Sequence, residues 1–103
     1  MDEGVSRLSA LVEYQPGAVV SRTLIKKKTG TVTAFAFDAG EGLSEHTAAF
    51  DALALLVEGD AEVTVAGTVH RVTAGDIMPL PANKPHALKA VSRFKMLLVM
   101  IRE

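Results

Sequence analysis

The sequence predicts an all-β domain, a sandwich or barrel of short strands. Three observations carry that reading. Turn signals built on Gly, Pro and Asp recur at intervals of about 8–12 residues, the spacing of sandwiches and barrels. Between them lie short segments rich in β-branched and apolar residues. Helical periodicity shows only near the start of the chain. At 103 residues the chain fits one domain with a single core. We expect that domain to span residues 1–103, with residues 1–16 packed on the barrel or on a partner.

Residues 5–14 place Leu8, Leu11 and Val12 at helical spacing, which suits a short helical turn lying on something larger. Gln15-Pro16-Gly17 ends it, because proline stops a helix and glycine turns the chain. Ala18 to Ile25 and Thr31 to Phe37 read as strands, separated by the cationic turn Lys26-Lys27-Lys28-Thr29-Gly30. Leu53 to Val57 reads as the end of a strand buried on both faces. Glu58-Gly59-Asp60-Ala61 reads as a hairpin turn. Ala61 to Val65 alternates, with Val63 and Val65 inward and Glu62 and Thr64 outward.

Ala66-Gly67-Thr68 turns the chain back into Thr68–Thr73, and Ala74-Gly75-Asp76 leads to Ile77-Met78. Pro79, Pro81 and Pro85 exclude a central strand and mark a stiff loop or an edge. His86–Val91 and Phe94–Ile101 complete the set. In Met96-Leu97-Leu98-Val99-Met100-Ile101 both parities are apolar, so both faces need cover. The N-terminal segment or a second subunit can supply it, and we expect a homodimer.

Composition removes several function classes. Apolar residues make up 49% and the formal charge is -1 with acids and bases interspersed, so a nucleic-acid partner is not expected. The absence of cysteine excludes disulfides, thiolate metal sites and cysteine nucleophiles. Met1-Asp2-Glu3-Gly4 lacks the pattern of a signal peptide and no apolar run is long enough for a membrane span. The expectation is a cytoplasmic protein with no membrane partner.

The most informative stretch is Gly40 to Gly59. His46, Ala48, Phe50, Ala52, Ala54 and Leu56 share one parity there, so on a strand they line one wall. His86 opens a later strand after the proline-rich loop, with Leu88 and Ala90 in its parity. Both histidines follow turns of the kind that rim ligand sites. Each has three readings: a metal ligand, a hydrogen-bonding contact for an organic molecule, or a half-buried ring satisfied by the backbone. His70, between Val69 and Arg71, reads as an ordinary strand residue.

At these positions the chain resembles the small single-domain cupins. Their first signature is G-x5-H-x-H-x3-E-x6-G. Gly40, His46 and Gly59 match it, while Ala48 and Ala52 replace a histidine and the glutamate. The second is G-x5-P-x-G-x2-H-x3-N. Gly75, Pro81 and His86 match, while Asn83 and Ala90 replace the glycine and asparagine. The resemblance, over residues 35–101, implies a double-stranded β-helix, or jelly-roll barrel, with a central pocket. In the family that pocket usually holds a divalent metal on three histidines and a glutamate.

Two of those four positions are alanine here, and two imidazoles alone make an incomplete shell. The expected function is therefore binding of a small molecule in a mostly apolar pocket lined by His46, Ala48, Phe50, Ala52, Leu56, Met78, His86 and Leu88. His46 and His86 are the candidates for holding a labile divalent ion (Zn, Fe, Mn or Ni). The alternative is a metal-dependent oxygenase or isomerase using the same two histidines. Small residues at 48 and 52 leave volume, either refilled by Phe35, Phe37 or Met78 or kept for a ligand.

Overall fold

Alternation of apolar and polar residues sorts the described residues into nine strands in two antiparallel sheets. A computed structural model describes residues 4–102, so Met1-Asp2-Glu3 lies outside the described residues. The strands are β1 (Val19–Lys27), β2 (Gly30–Phe37), β3 (Gly42–His46), β4 (Asp51–Glu58), β5 (Asp60–Val65), β6 (Thr68–Thr73), β7 (Ile77–Leu80), β8 (His86–Ala90) and β9 (Phe94–Ile101). One sheet runs β1-β2-β9-β4-β7 and the other β3-β8-β5-β6. This is the all-β jelly roll that the sequence predicts, with a single 3-10 turn at Leu8–Ala10.

Register explains which side chains meet between the sheets. β9 pairs with β2 through Phe94↔Phe37, Met96↔Phe35, Leu98↔Thr33 and Met100↔Thr31. Across its other edge it pairs with β4 through Met96↔Leu56, Leu98↔Ala54 and Met100↔Ala52. One parity of β9 therefore faces inward, and the core gathers on it with Phe37, Leu56, Val63, Val72, Leu88 and Phe94. Near Phe94 the interior is filled by aromatic rings. Near Met100 it is faced by Ala52.

The opposite parity of β9 is also apolar. Leu97 joins Ala34, Ala36, Val20 and Leu24, and the N-terminal residues Leu11, Val12 and Tyr14 lie over them. Two polar contacts fasten that segment: Lys95 Nζ donates to the Ser9 carbonyl at 2.6 Å, and the Tyr14 hydroxyl donates to Glu58 Oε2 at 2.8 Å. Desolvation, reinforced by the Glu58 carboxylate, pushes the Tyr14 phenol well above its ordinary range. Further along the same face Ile25, Leu53, Ile77 and Ile101 stay exposed.

Four expectations are corrected. Leu8 is 49% exposed, because only Leu11 and Val12 reach the sheet. Leu53 is 38% exposed, since its side of β4 lies beyond the N-terminal cover. Glu58-Gly59-Asp60 is not a hairpin; β4 and β5 belong to different sheets, and the chain crosses between layers there. Gly59 has φ +83, and a Cβ would collide with the Arg93 carbonyl and the Phe94 backbone, so this corner requires glycine. The strand expected from His46 onward is two strands in opposite sheets, β3 and β4, joined by residues 47–50. The proline reading holds: Pro79 falls inside β7, an edge strand bonded only to β4, where its missing N–H does no harm.

Candidate functional site

The two alanines that replace larger family residues leave real space. A cavity of about 480 Å³ opens between the sheets at the end away from Phe37 and Phe94. From one sheet Ala52, Leu80, Met96, Leu98 and Met100 face it, and from the other Leu43, His46, His86 and Leu88. Thr47, Ala48 and Phe50 close its mouth. Phe35, Phe37 and Met78 do not refill the gap; they belong to the core or pack against it.

The mouth is built by two loops that hold each other. Asn83 N–H donates to the Ala48 carbonyl at 2.7 Å, and Ala82 N–H donates to Asp51 Oδ1 at 2.9 Å. Asn83 has φ +64, the left-handed conformation that asparagine tolerates best after glycine. That is why asparagine can stand where the signature has glycine. Asp51, used in this clasp, faces away from the cavity, and the guanidinium of Arg102 lies 5.1 Å from the centre of the Phe50 ring.

The histidines converge although 40 residues of chain separate them. β3 and β8 are adjacent, and His46 pairs directly with His86. Their rings meet edge to face with centroids 4.4 Å apart and planes at 68°. His46 sits exposed at the rim, while His86 is 7% exposed. Each Nδ1 lies against a carbonyl two residues back: His46 on Ser44 at 2.8 Å and His86 on Lys84 at 3.2 Å. A carbonyl can only accept, so both Nδ1 atoms carry the hydrogen and Nε2 is the remaining nitrogen of each ring. Desolvation by burial holds His86 below the ordinary imidazole range; the Lys84 carbonyl works against this and the neighbouring His46 adds to it.

Residues 34–102 match the family model described as "Cupin domain". The chain belongs to the cupin family. This cupin is 33% identical to a conserved protein of unknown function from Streptococcus pyogenes, with a TM-score of 0.95 over 100% of this chain and 90% of that one. It is similar also to a cupin superfamily protein from Desulfitobacterium hafniense, at 29% identity and TM-score 0.94 over 100% of this chain and 94% of that one. A third similar structure is the cupin 2 conserved barrel domain protein from Leptotrichia buccalis, 38% identical with TM-score 0.88, covering 91% of this chain and 46% of that one. No curated protein matches this cupin.

The family's usual four-ligand metal shell does not fit these residues. Ala48 and Ala52 have no donors, and among the described residues the cavity wall contains no carboxylate and no group of three or more histidine and acidic side chains is placed to hold an ion. Of the sequence-derived pocket residues, His46, Ala48, Phe50, Ala52, His86 and Leu88 line the cavity. Leu56 and Met78 do not. Leu56 points inward too, but two inward pairs closer to the filled end than Ala52, beside Met96; Met78 is a neighbour of Ala54, not of Ala52. His70 is exposed on β6, clear of the site.

Sequence reasoning missed Leu43, Thr47, Leu80, Met96, Leu98 and Met100. The signal for the β9 residues was the shared parity of Met96, Leu98 and Met100. With both parities apolar, only the register with β4 decides which one faces in.

Proposed function

We propose that this cupin binds a small, largely apolar organic molecule between its sheets, with His46 and His86 as the principal polar contacts. One observation carries the reading: a 480 Å³ space, within the range of ligand pockets, is walled by hydrocarbon and thioether groups except where two imidazoles meet and at Thr47. An unfilled apolar volume of that size costs stability unless something occupies it. The test is thermal unfolding of the purified protein with a panel of apolar small molecules. A ligand at about a hundred times its Kd adds roughly 2.7 kcal/mol, on the order of 10 °C or more for a domain of this size. The shift should shrink in His46→Ala and His86→Ala. A panel that moves no transition sinks the proposal.

A second reading is supported by the anchored Nδ1 atoms. Imidazoles that ligate metals usually donate the other N–H to a carbonyl or carboxylate. A labile divalent ion on His46 and His86, with water or substrate oxygens as further ligands, would make this cupin a metal-dependent enzyme. Metal analysis of untagged protein separates the readings: a stoichiometric transition metal, lost in either alanine variant, favours the second.

The partner that the outer face suits is a second copy of this chain. Its uncovered half presents Ile25, Leu53, Ile77 and Ile101, apolar residues of the kind that two-fold dimers bury. A monomeric mass at micromolar concentration excludes this pairing; a dimer that dissociates in Ile101→Lys supports it.

A further inference from the structure

Resting on the reading that the cavity binds an organic molecule, we infer that it selects an uncharged apolar compound bearing an O–H or N–H donor, such as an alkylphenol, over the corresponding carboxylate or ammonium. The argument starts from the two ring hydrogens. Ser44 and Lys84 carbonyls hold the Nδ1–H of His46 and His86. In a neutral imidazole the other nitrogen is then a bare acceptor. The two rings that carry these acceptors both line the cavity, edge to face with centroids 4.4 Å apart.

The rest of the wall decides against charge. Among the described residues, no lysine, arginine, aspartate or glutamate lines the cavity. A carboxylate entering it would leave water, meet two lone pairs and find no cation. An ammonium would find acceptors but no counter-charge. Either ion is costly to bury under those terms. A neutral hydroxyl satisfies one Nε2 directly, and a diol or catechol satisfies both. Thr47, the other polar group at the wall, both donates and accepts, so it does not change the preference. The apolar body of the ligand then lies against Leu88, Leu98 and Met100.

The experiment is calorimetric titration of the intact protein, above the imidazole titration range, with four compounds on one skeleton: a para-alkylphenol, its methyl ether, the para-alkylbenzoate and the para-alkylbenzylamine. The phenol should bind roughly tenfold tighter than the ether, the worth of one hydrogen bond, and tighter than either ion. In His86→Leu the phenol-to-ether ratio should fall to about one; His46→Leu, at the exposed rim, is the second variant should the buried one fail to fold. Nitrogen NMR of the imidazoles gives an independent readout, with Nε2 expected to be the unprotonated type in both rings.

Equal binding of phenol and ether, tighter binding of the benzoate, or the opposite tautomer each overturns the inference while leaving the pocket reading intact. Failure of all four compounds to bind overturns both.

Discussion

Phe37 and Phe94 stack face to face, ring centroids 4.3 Å apart and planes 8° from parallel. Both are fully buried and paired in register across β2 and β9. In the other sheet Ala61 and Ala90, paired with each other across β5 and β8, lie buried in the same core cluster, and their small side chains suit an end packed by two rings. This end of the sandwich is solid, and the opposite end is where the cavity forms. Phe94→Ala should cost about 3–5 kcal/mol, measured by denaturant unfolding. Met100→Ala, beside space that is already open, should cost less. Equal costs would contradict the division of the interior into a filled and an open end.

Ala52→Leu tests the cavity directly. The added carbons enter empty volume, so the melting temperature should hold or rise. Stabilisation by any small molecule bound in the wild type should disappear. Retained ligand stabilisation in this variant would move the binding site elsewhere.

Stability should depend on pH through His86. Its folded pKa is depressed, by burial first, with the Lys84 carbonyl opposing and His46 adding. Below the ordinary value of 6.5 the unfolded chain takes up a proton that the folded state resists. His86 therefore contributes fully above about pH 6.5, and its contribution is lost as pH falls towards the folded pKa. Denaturation midpoints should be level near neutrality and decline through this window, and His86→Leu should flatten the decline. Asp38 acts lower on the scale: held down by the Gly17 N–H first, then by Arg93 and Ala39, it loses its contribution as pH drops below its ordinary 3.8. A protein that gains stability between neutrality and mild acid would reverse the assignment for His86.

Gly59→Ala should be among the most damaging single-methyl additions in the chain. The residue sits at positive φ with the Arg93 carbonyl and the Phe94 backbone in the space of a Cβ. A loss of roughly 2–4 kcal/mol, or failure to fold, is expected. Gly67→Ala, at similar φ but with nothing near the built Cβ, should cost only the backbone strain, on the order of 1 kcal/mol. Circular dichroism melts of the pair measure the difference.

Strand existence, the two signatures and the meeting of His46 with His86 were legible in the sequence, because period-two patterning and turn residues are local signals. Sheet membership was not. The crossing at Gly59 and the hairpin at Ala66-Gly67 carry similar turn chemistry, and only the long-range pairing of β4 with β9 distinguishes them. The same limit affected the pocket. Parity assigned Leu56 to the interior correctly, but depth along the sandwich depends on which residue of β9 it opposes. Leu53 shows the converse: an apolar residue whose exposure is set by how far the N-terminal segment reaches.

Lys95 gives that segment a significance beyond its length. Its ammonium lies on the outer side of the five-stranded sheet, nearly shut off from water, with the Ser9 carbonyl as its hydrogen-bond acceptor and the Tyr14 ring 4.8 Å away. Trimming the chain ahead of β1 would strip the hydrocarbon beneath of its shelter among the described residues and leave Lys95 with Glu58, 3.9 Å away, as its ionic partner. The residues before the first strand are thus a built-in dressing for the sheet, and a shortened form would be sticky and prone to precipitate.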